Sequence, residues 1–217
     1  MAGRAMRIGI LALQGDFAEH RRVLEALGAE AADVRRLEDL RDIDGLVVPG
    51  GESTTIRLLM AGSGLDVALR ERIAGGLPVM GTCAGLIVLA KRVDGAVVPG
   101  LNALDVSVRR NAFGRQVVSF EEDLSVPILG ERAFRAVFIR APLVESVEAH
   151  VQLFATLPDG RIVGVKQGAV LGLAFHPELT PDHRCHEYFL HMVAGCKEEG
   201  GPSASPGPPG PALGAKT

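Results

Sequence analysis

Pro78-Val79-Met80-Gly81-Thr82-Cys83-Ala84-Gly85-Leu86 runs from an apolar strand, through small residues around one cysteine, into a helix. That order describes a nucleophile elbow, a tight strand-to-helix turn that lifts one side chain above the sheet. Gly81 and Gly85 suit it because larger side chains would meet neighbouring backbone there. The turn sets the Cys83 thiol at the carboxyl edge of a sheet and at a helix N-terminus, where the helix dipole favours negative charge. Taken alone, the segment also fits a buried cysteine serving as a small hydrophobe.

Upstream, apolar strands alternate with amphipathic helices. Ile8 to Leu13 reads as a buried strand ending at Gln14-Gly15. Asp16 then caps a helix with Phe17, His20, Leu24 and Leu27 on one face, stopped by Gly28. Leu46 to Val48 is a second strand, ended by Pro49-Gly50-Gly51. Ser53 or Thr54 caps a helix carrying Ile56, Leu59 and Met60, Pro78 to Met80 is a third strand, and Gly85 to Arg92 a short helix. Such alternation implies a parallel sheet covered on both faces. Beyond residue 95 the pattern changes to strands at 104–110, 117–120, 136–139, 151–156, 161–166 and 170–175, with a hairpin turn at Leu157-Pro158-Asp159-Gly160. These add antiparallel strands to one edge. A last helix over 182–194, capped by Asp182, presents Tyr188, Phe189, Met192 and Val193 to the body. The fold class is therefore α/β, with a mostly parallel central sheet and added antiparallel strands. The folded domain covers 1–197, and the Gly/Pro-rich segment 198–217 is expected to be disordered.

Composition bounds the function. Hydrophobic residues make up 47% and charged residues 23% of 217, as in ordinary globular proteins, so collagen, coiled coil and wholesale disorder are excluded. Twenty-three basic against 26 acidic residues give a net charge of −3 with no basic cluster, which argues against nucleic acid. The longest apolar stretch, Leu77 to Ala90, is too short and too interrupted to span a bilayer. The amino-terminal run reads as a first strand, not a signal peptide. Three scattered cysteines make no disulfide framework, and the expectation is a reduced, cytoplasmic protein.

Two further segments lie at strand ends, where a parallel sheet keeps its site. Phe175-His176-Pro177-Glu178 offers an imidazole base for a cysteine nucleophile, with Glu178 placed to fix its tautomer. By itself the tripeptide reads more readily as a surface turn. In Val48-Pro49-Gly50-Gly51-Glu52-Ser53, paired glycines can aim backbone N–H groups outward as an oxyanion nest, joined by the Ala84 N–H. A phosphate loop is disfavoured, since GGEST lacks the P-loop lysine, while a plain Gly-rich turn stays open. His183, Cys185, His186 and His191 could suggest a metal site. Only His183 and His186 share a helix face cleanly, and no metal is expected.

Together these segments resemble the class I glutamine amidotransferases, with their Cys-His-Glu triad and flavodoxin-like three-layer fold. LALQGDFAEH, PGGESTT, GTCAGLI, RRNAFGRQ, FIRAP and FHPELT are similar to the glutaminase subunits of pyridoxal 5′-phosphate synthases, a likeness running from about Met6 to Val193. The resemblance implies Cys83 as nucleophile, His176 as base and Glu178 as orienting acid. It implies L-glutamine held by Gly51, Glu52, Ser53, Arg110, Ile139 and Arg140, and an oxyanion hole at Gly50, Gly51 and Ala84. An arginine fork suits the free α-carboxylate of an amino acid. The resemblance also implies contact with a barrel-shaped synthase subunit near Gln14, and no cofactor. The glutaminase of another synthase, such as that for imidazole glycerol phosphate, is the alternative enzyme, beside an elbow-type cysteine hydrolase that needs no partner. A non-catalytic docking module is the alternative from another class.

Overall fold

The computed structural model describes residues 4–114 and 119–198. In chain order the elements are β1 (Arg7–Leu11), α1 (Phe17–Ala26), β2 (Glu30–Val34), β3 (Gly45–Val48), α2 (Ser53–Ser63), α3 (Leu65–Ala74), β4 (Val79–Thr82), α4 (Ala84–Leu89) and β5 (Ala90–Val93). They continue with β6 (Ala96–Val97), β7 (Leu104–Arg109), β8 (Ser119–Leu124), β9 (Phe134–Ile139), β10 (Leu143–Val147), β11 (Gln152–Thr156), β12 (Ile162–Gln167), β13 (Val170–Leu173) and α5 (Arg184–Glu198).

The parallel core has the order β2-β1-β3-β4-β13, the doubly wound flavodoxin-like arrangement. Its strands are continuous apolar runs because both faces are covered: every residue of β3, β4 and β13 is buried. The strand order reverses between β1 and β3. Right-handed crossovers therefore send α1 to one face and α2 with α3 to the other. Helix α5 joins α1, its Phe189 and Val193 lying against β3 where Gly45 leaves room. From β13 the sheet continues through antiparallel β12, β10 and β7, with β11 beside β12. Strands β8 and β9 stand apart as a two-stranded sheet, where a single extended edge was anticipated.

Several sequence expectations change in detail. The helix after the elbow stops at Leu89, and Lys91 and Arg92 lie in β5, whose Ala90 and Val93 turn inward while the two charges stay exposed. The cap of α2 is Glu52, which accepts N–H bonds from Thr54 and Thr55, in place of Ser53 or Thr54. Ile56 and Met60 are buried as anticipated, but Leu59 is 44% exposed. Asp16 precedes α1 without a side-chain capping bond. Elements β2, α3, β5, β6 and β10 had no counterpart in the sequence reading. Val117 and Val118 of the expected strand at 117–120 lie outside the described residues, and β8 begins at Ser119. The hairpin turn forms with Gly160 at φ 86. Asp182 accepts the Arg184 N–H at 3.3 Å at the start of α5. Helix α5 runs through Glu198, and the remainder of the expected tail, 199–217, lies outside the described residues. No described helix is long and apolar enough to cross a membrane.

Candidate active site

The loops after β1, β3, β4 and β13 meet at the carboxyl edge, where the order of a doubly wound sheet reverses. Cys83 sits between β4 and α4 with φ 49 and ψ −104, a left-handed backbone that a non-glycine residue adopts at a cost of about 1–3 kcal/mol. The surroundings hold it there. Its N–H donates to Leu173 O at 2.8 Å, continuing the β4–β13 ladder into the turn. A Cβ on Gly81 would lie 2.8 Å from the Gly85 carbonyl carbon, and one on Gly85 would lie 2.0 Å from Val48 O, so the turn closes only with glycine at both places. The thiol is 7% exposed and faces Ile139 O at 3.7 Å. Ala84 opens α4, so its N–H belongs to the helix start, where amides have no intrahelical acceptor.

His176 follows β13 and is anchored by its N–H to Val137 O at 2.8 Å, so β9 braces the loop. Its Nδ1 lies 2.7 Å from Glu178 Oε1. Pro177 starts a single 3-10 turn, Pro177–Leu179, which folds the carboxylate back under the ring. Burial opposes the imidazolium, but hydrogen bonds with Cys83 and Glu178 and the charges of both outweigh it, raising His176 to about 10. Burial likewise pushes the Glu178 carboxyl up, and the bond to His176 pulls it back. Each partner thus favours the charged form of the other, against the burial that opposes both charges.

A second carboxylate, not assigned to the site from sequence, also reaches this ring. Asp16 Oδ2 is 3.6 Å from His176 Nδ1, and the three side chains offer ligand-type atoms within 4.8 Å of one another. In sequence, an aspartate at the head of a helix has the ordinary role of a cap, which hides its place beside His176. Of the histidines and cysteine on α5, His186 contacts His20, and Cys185 is buried in the core, which pushes its thiol up.

The glycine loop after β3 is joined to the loop after β1. Asp16 N–H donates to Gly50 O at 3.3 Å, and Glu52 N–H donates to Gln14 Oε1 at 2.6 Å. The fit is close enough that a Cβ on Gly15 would lie 1.8 Å from Gly50 O, and one on Gly50 would lie 2.6 Å from His176 Cε1. Gly51 has φ 145, open to glycine at little cost. Gly50 thus lies against His176, while Gly51 lies against Gln14 in the same joined pair of loops.

The remaining residues are more dispersed. The Glu52 carboxylate turns into the start of α2, where the Thr54 and Thr55 N–H groups hold it down to about 2. Ser53 is buried, with Arg57 as its side-chain neighbour at 3.4 Å. Ile139 brings its carbonyl to the thiol, and Arg140 follows with φ 45. Arg110, just past β7, pairs with Asp94 at 2.7 Å and is half exposed.

Comparison with known proteins gives the family. The model of the SNO glutamine amidotransferase family matches residues 10–195. A relative from Leifsonia xyli subsp. xyli, named pyridoxal 5′-phosphate synthase subunit PdxT, is 58% identical over 90% of this chain and 99% of its own. One of the same name from Corynebacterium jeikeium is 56% identical over 87% of this chain and 97% of its own. A crystal structure described as a glutamine amidotransferase superposes with a TM-score of 0.81 at 50% identity, covering 86% of this chain and 98% of that one. A putative GMP synthase subunit from Thermoplasma acidophilum, 19% identical over 91% of this chain and 98% of that one, shares the fold at a TM-score of 0.68. The chain belongs to the SNO glutamine amidotransferase family.

Proposed function

We propose that this chain hydrolyses L-glutamine to L-glutamate and ammonia through Cys83, His176 and Glu178. The ammonia then passes to a barrel-shaped synthase subunit that builds pyridoxal 5′-phosphate. The observation that carries the reading is the strained Cys83 elbow beside a buried imidazole held 2.7 Å from a carboxylate. Cys83 Sγ attacks the side-chain amide carbon while the thiol proton resides on His176. The tetrahedral oxygen takes N–H bonds at the Gly50-Gly51 turn and Ala84. His176 gives its proton to the leaving nitrogen, ammonia departs, and a γ-glutamyl thioester remains. His176 then takes a proton from water, the hydroxide adds to the thioester, and glutamate leaves as the thiol re-forms. Thiol and imidazole supply all the proton and acyl transfers in this scheme, so it calls for no cofactor.

Arg110 would clamp the substrate's α-carboxylate by exchanging Asp94 for it, with Gly51, Glu52, Ser53, Ile139 and Arg140 around the rest of the molecule. Free glutaminase would waste glutamine, so turnover is coupled to docking of the synthase. Gln14 supplies the route: it holds the Glu52 amide, so a partner touching the first strand's end reaches the oxyanion turn. Its reduced thiols fit a cytoplasmic setting. The test is ammonia release from the full chain with glutamine, alone and with saturating synthase. Turnover is expected to need Cys83 and to rise with synthase. Ammonia release that persists in Cys83→Ala overturns the acyl-enzyme scheme, and equal rates with and without synthase overturn the coupling.

A further inference from the structure

Glu178 has two oxygens, and the triad uses one. Oε1 meets His176, whereas Oε2 is buried and, among the described residues, has no partner at regular hydrogen-bond geometry. A bare carboxylate oxygen inside a protein is costly. Facing it is His20 of α1, with Nε2 at 3.4 Å and both side chains wholly buried. The same nitrogen lies 3.1 Å from Thr82 Oγ1, and His20 Nδ1 lies 3.0 Å from His186 Nε2 of α5. Thr82 immediately precedes the nucleophile, so one ring touches both the carboxylate side and the thiol side of the site.

The protons on these rings follow from the geometry. Burial keeps both His20 and His186 neutral, so each carries a single N–H. If that of His20 were on Nδ1, its Nε2 lone pair would face the Glu178 carboxylate, and His186 would bury an unpaired Nδ1–H. With the proton on Nε2, His20 donates towards Oε2 and Thr82, its Nδ1 accepts from His186, and only a lone pair on His186 stays unpartnered. The second arrangement removes one repulsion and one orphaned donor.

We infer that His20 is a positioning residue for the glutaminase reaction: its Nε2–H steadies Glu178 Oε2, which holds the carboxylate plane and so aims His176 at Cys83. His186 fixes the tautomer of His20. The inference rests on the glutaminase reading above. The titratable groups gathered here are Asp16 before α1, His20 on α1, Cys83 at the elbow, His176 and Glu178 after β13, and Cys185 and His186 on α5, with His183 acting on His186.

The test uses the full chain with synthase present. His20→Phe keeps the ring and removes both nitrogens, while the amide of His20→Gln can restore a donor near Nε2. His20→Phe is expected to lower kcat by about 10- to 100-fold with KM for glutamine nearly unchanged. It should also raise the acid limb of kcat/KM by about one pH unit, since the Glu178 carboxylate loses the N–H that faces it. His20→Gln should recover most of both. A folded His20→Phe with native kcat and native acid limb would overturn the inference. Should His20→Phe not fold, ring-15N spectra of the unmodified chain decide: neutral His20 protonated at Nε2 supports the inference, and protonation at Nδ1 overturns it. Cys83→Ala separates the two levels. Turnover there ends the Cys83 acyl-enzyme scheme on which the inference rests, whereas an inactive Cys83→Ala beside a fully active His20→Phe ends only the role of His20.

Discussion

Gly85→Ala should cost about 100-fold in turnover without touching a reacting group. The added Cβ would lie 2.0 Å from Val48 O, where ordinary contact begins near 3.4 Å, so the backbone must part by about 1.4 Å. The obstacle is a carbonyl in the last residue of β3, which has no rotamer to escape into. One side of the contact is the first turn of α4, carrying Cys83 and Ala84. The other leads directly to Gly50-Gly51. Whichever side moves, the thiol and the oxyanion turn separate, and a misplacement of about 1 Å costs on the order of 100-fold. Overpacking of this kind destabilises by about 1–3 kcal/mol, a drop in Tm of roughly 3–10 °C for a chain of this size. Gly62→Ala is the control, since nothing lies within 4 Å of its added Cβ inside α2. It should keep full activity and gain about 0.5 kcal/mol. The assay is ammonia release together with thermal melting. Gly85→Ala with the turnover and Tm of the unmodified chain would refute the reasoning.

Other outcomes follow from the same geometry. His176→Asn should lose on the order of 10⁴-fold in kcat and Glu178→Gln clearly less, because in the proposed scheme His176 carries the proton and Glu178 sets its tautomer; a fully active Glu178→Gln leaves a dyad. Glu52 is held at about 2 in the folded chain against an ordinary 4.5, so its cap stabilises α2 above pH 4.5 and fades as pH falls towards 2. Glu52→Ala should therefore cost about 0.5–1 kcal/mol in urea unfolding at pH 7, modest because the side chain is exposed, and almost nothing near pH 2. Gln14→Ala should blunt the rise in turnover on adding synthase, expected at about 5- to 150-fold for the unmodified chain. Normal activation would take the route away from the first strand.

The parts of the site that a local motif can encode were legible in the sequence. Strand, small residues, cysteine and glycine fix the elbow, and His-Pro-Glu at a strand end brings an imidazole and a carboxylate together. These features depend on neighbours within a few positions. Asp16 and His20 depend on elements far apart in the chain, so an aspartate before a helix reads as a cap and a histidine on an apolar face as core. Glu52 behaved in the opposite way: its backbone meets Gln14, yet its side chain serves the helix. Short or weakly patterned elements leave little trace in the sequence for a similar reason. Strand β2 has an exposed or half-buried residue at four of five positions, and α3 follows α2 with only Gly64 between them. Strand β5 was absorbed into the preceding helix because Lys91-Arg92 suits a helix C-terminus as well as a strand's exposed pair.

The central claim is that one thiol of three attacks glutamine. Cys83 stands at the elbow, Cys185 is buried in the core, and Cys196 lies on the last turns of α5. The direct measurement is intact-mass and peptide mapping of the full chain, with synthase, after exposure to a diazoketone analogue of glutamine. A single adduct on Cys83, blocked by excess glutamine and matched by loss of ammonia release, is the predicted result. An adduct on Cys185 or Cys196 that tracks the loss of activity, with Cys83 unmodified, would contradict it.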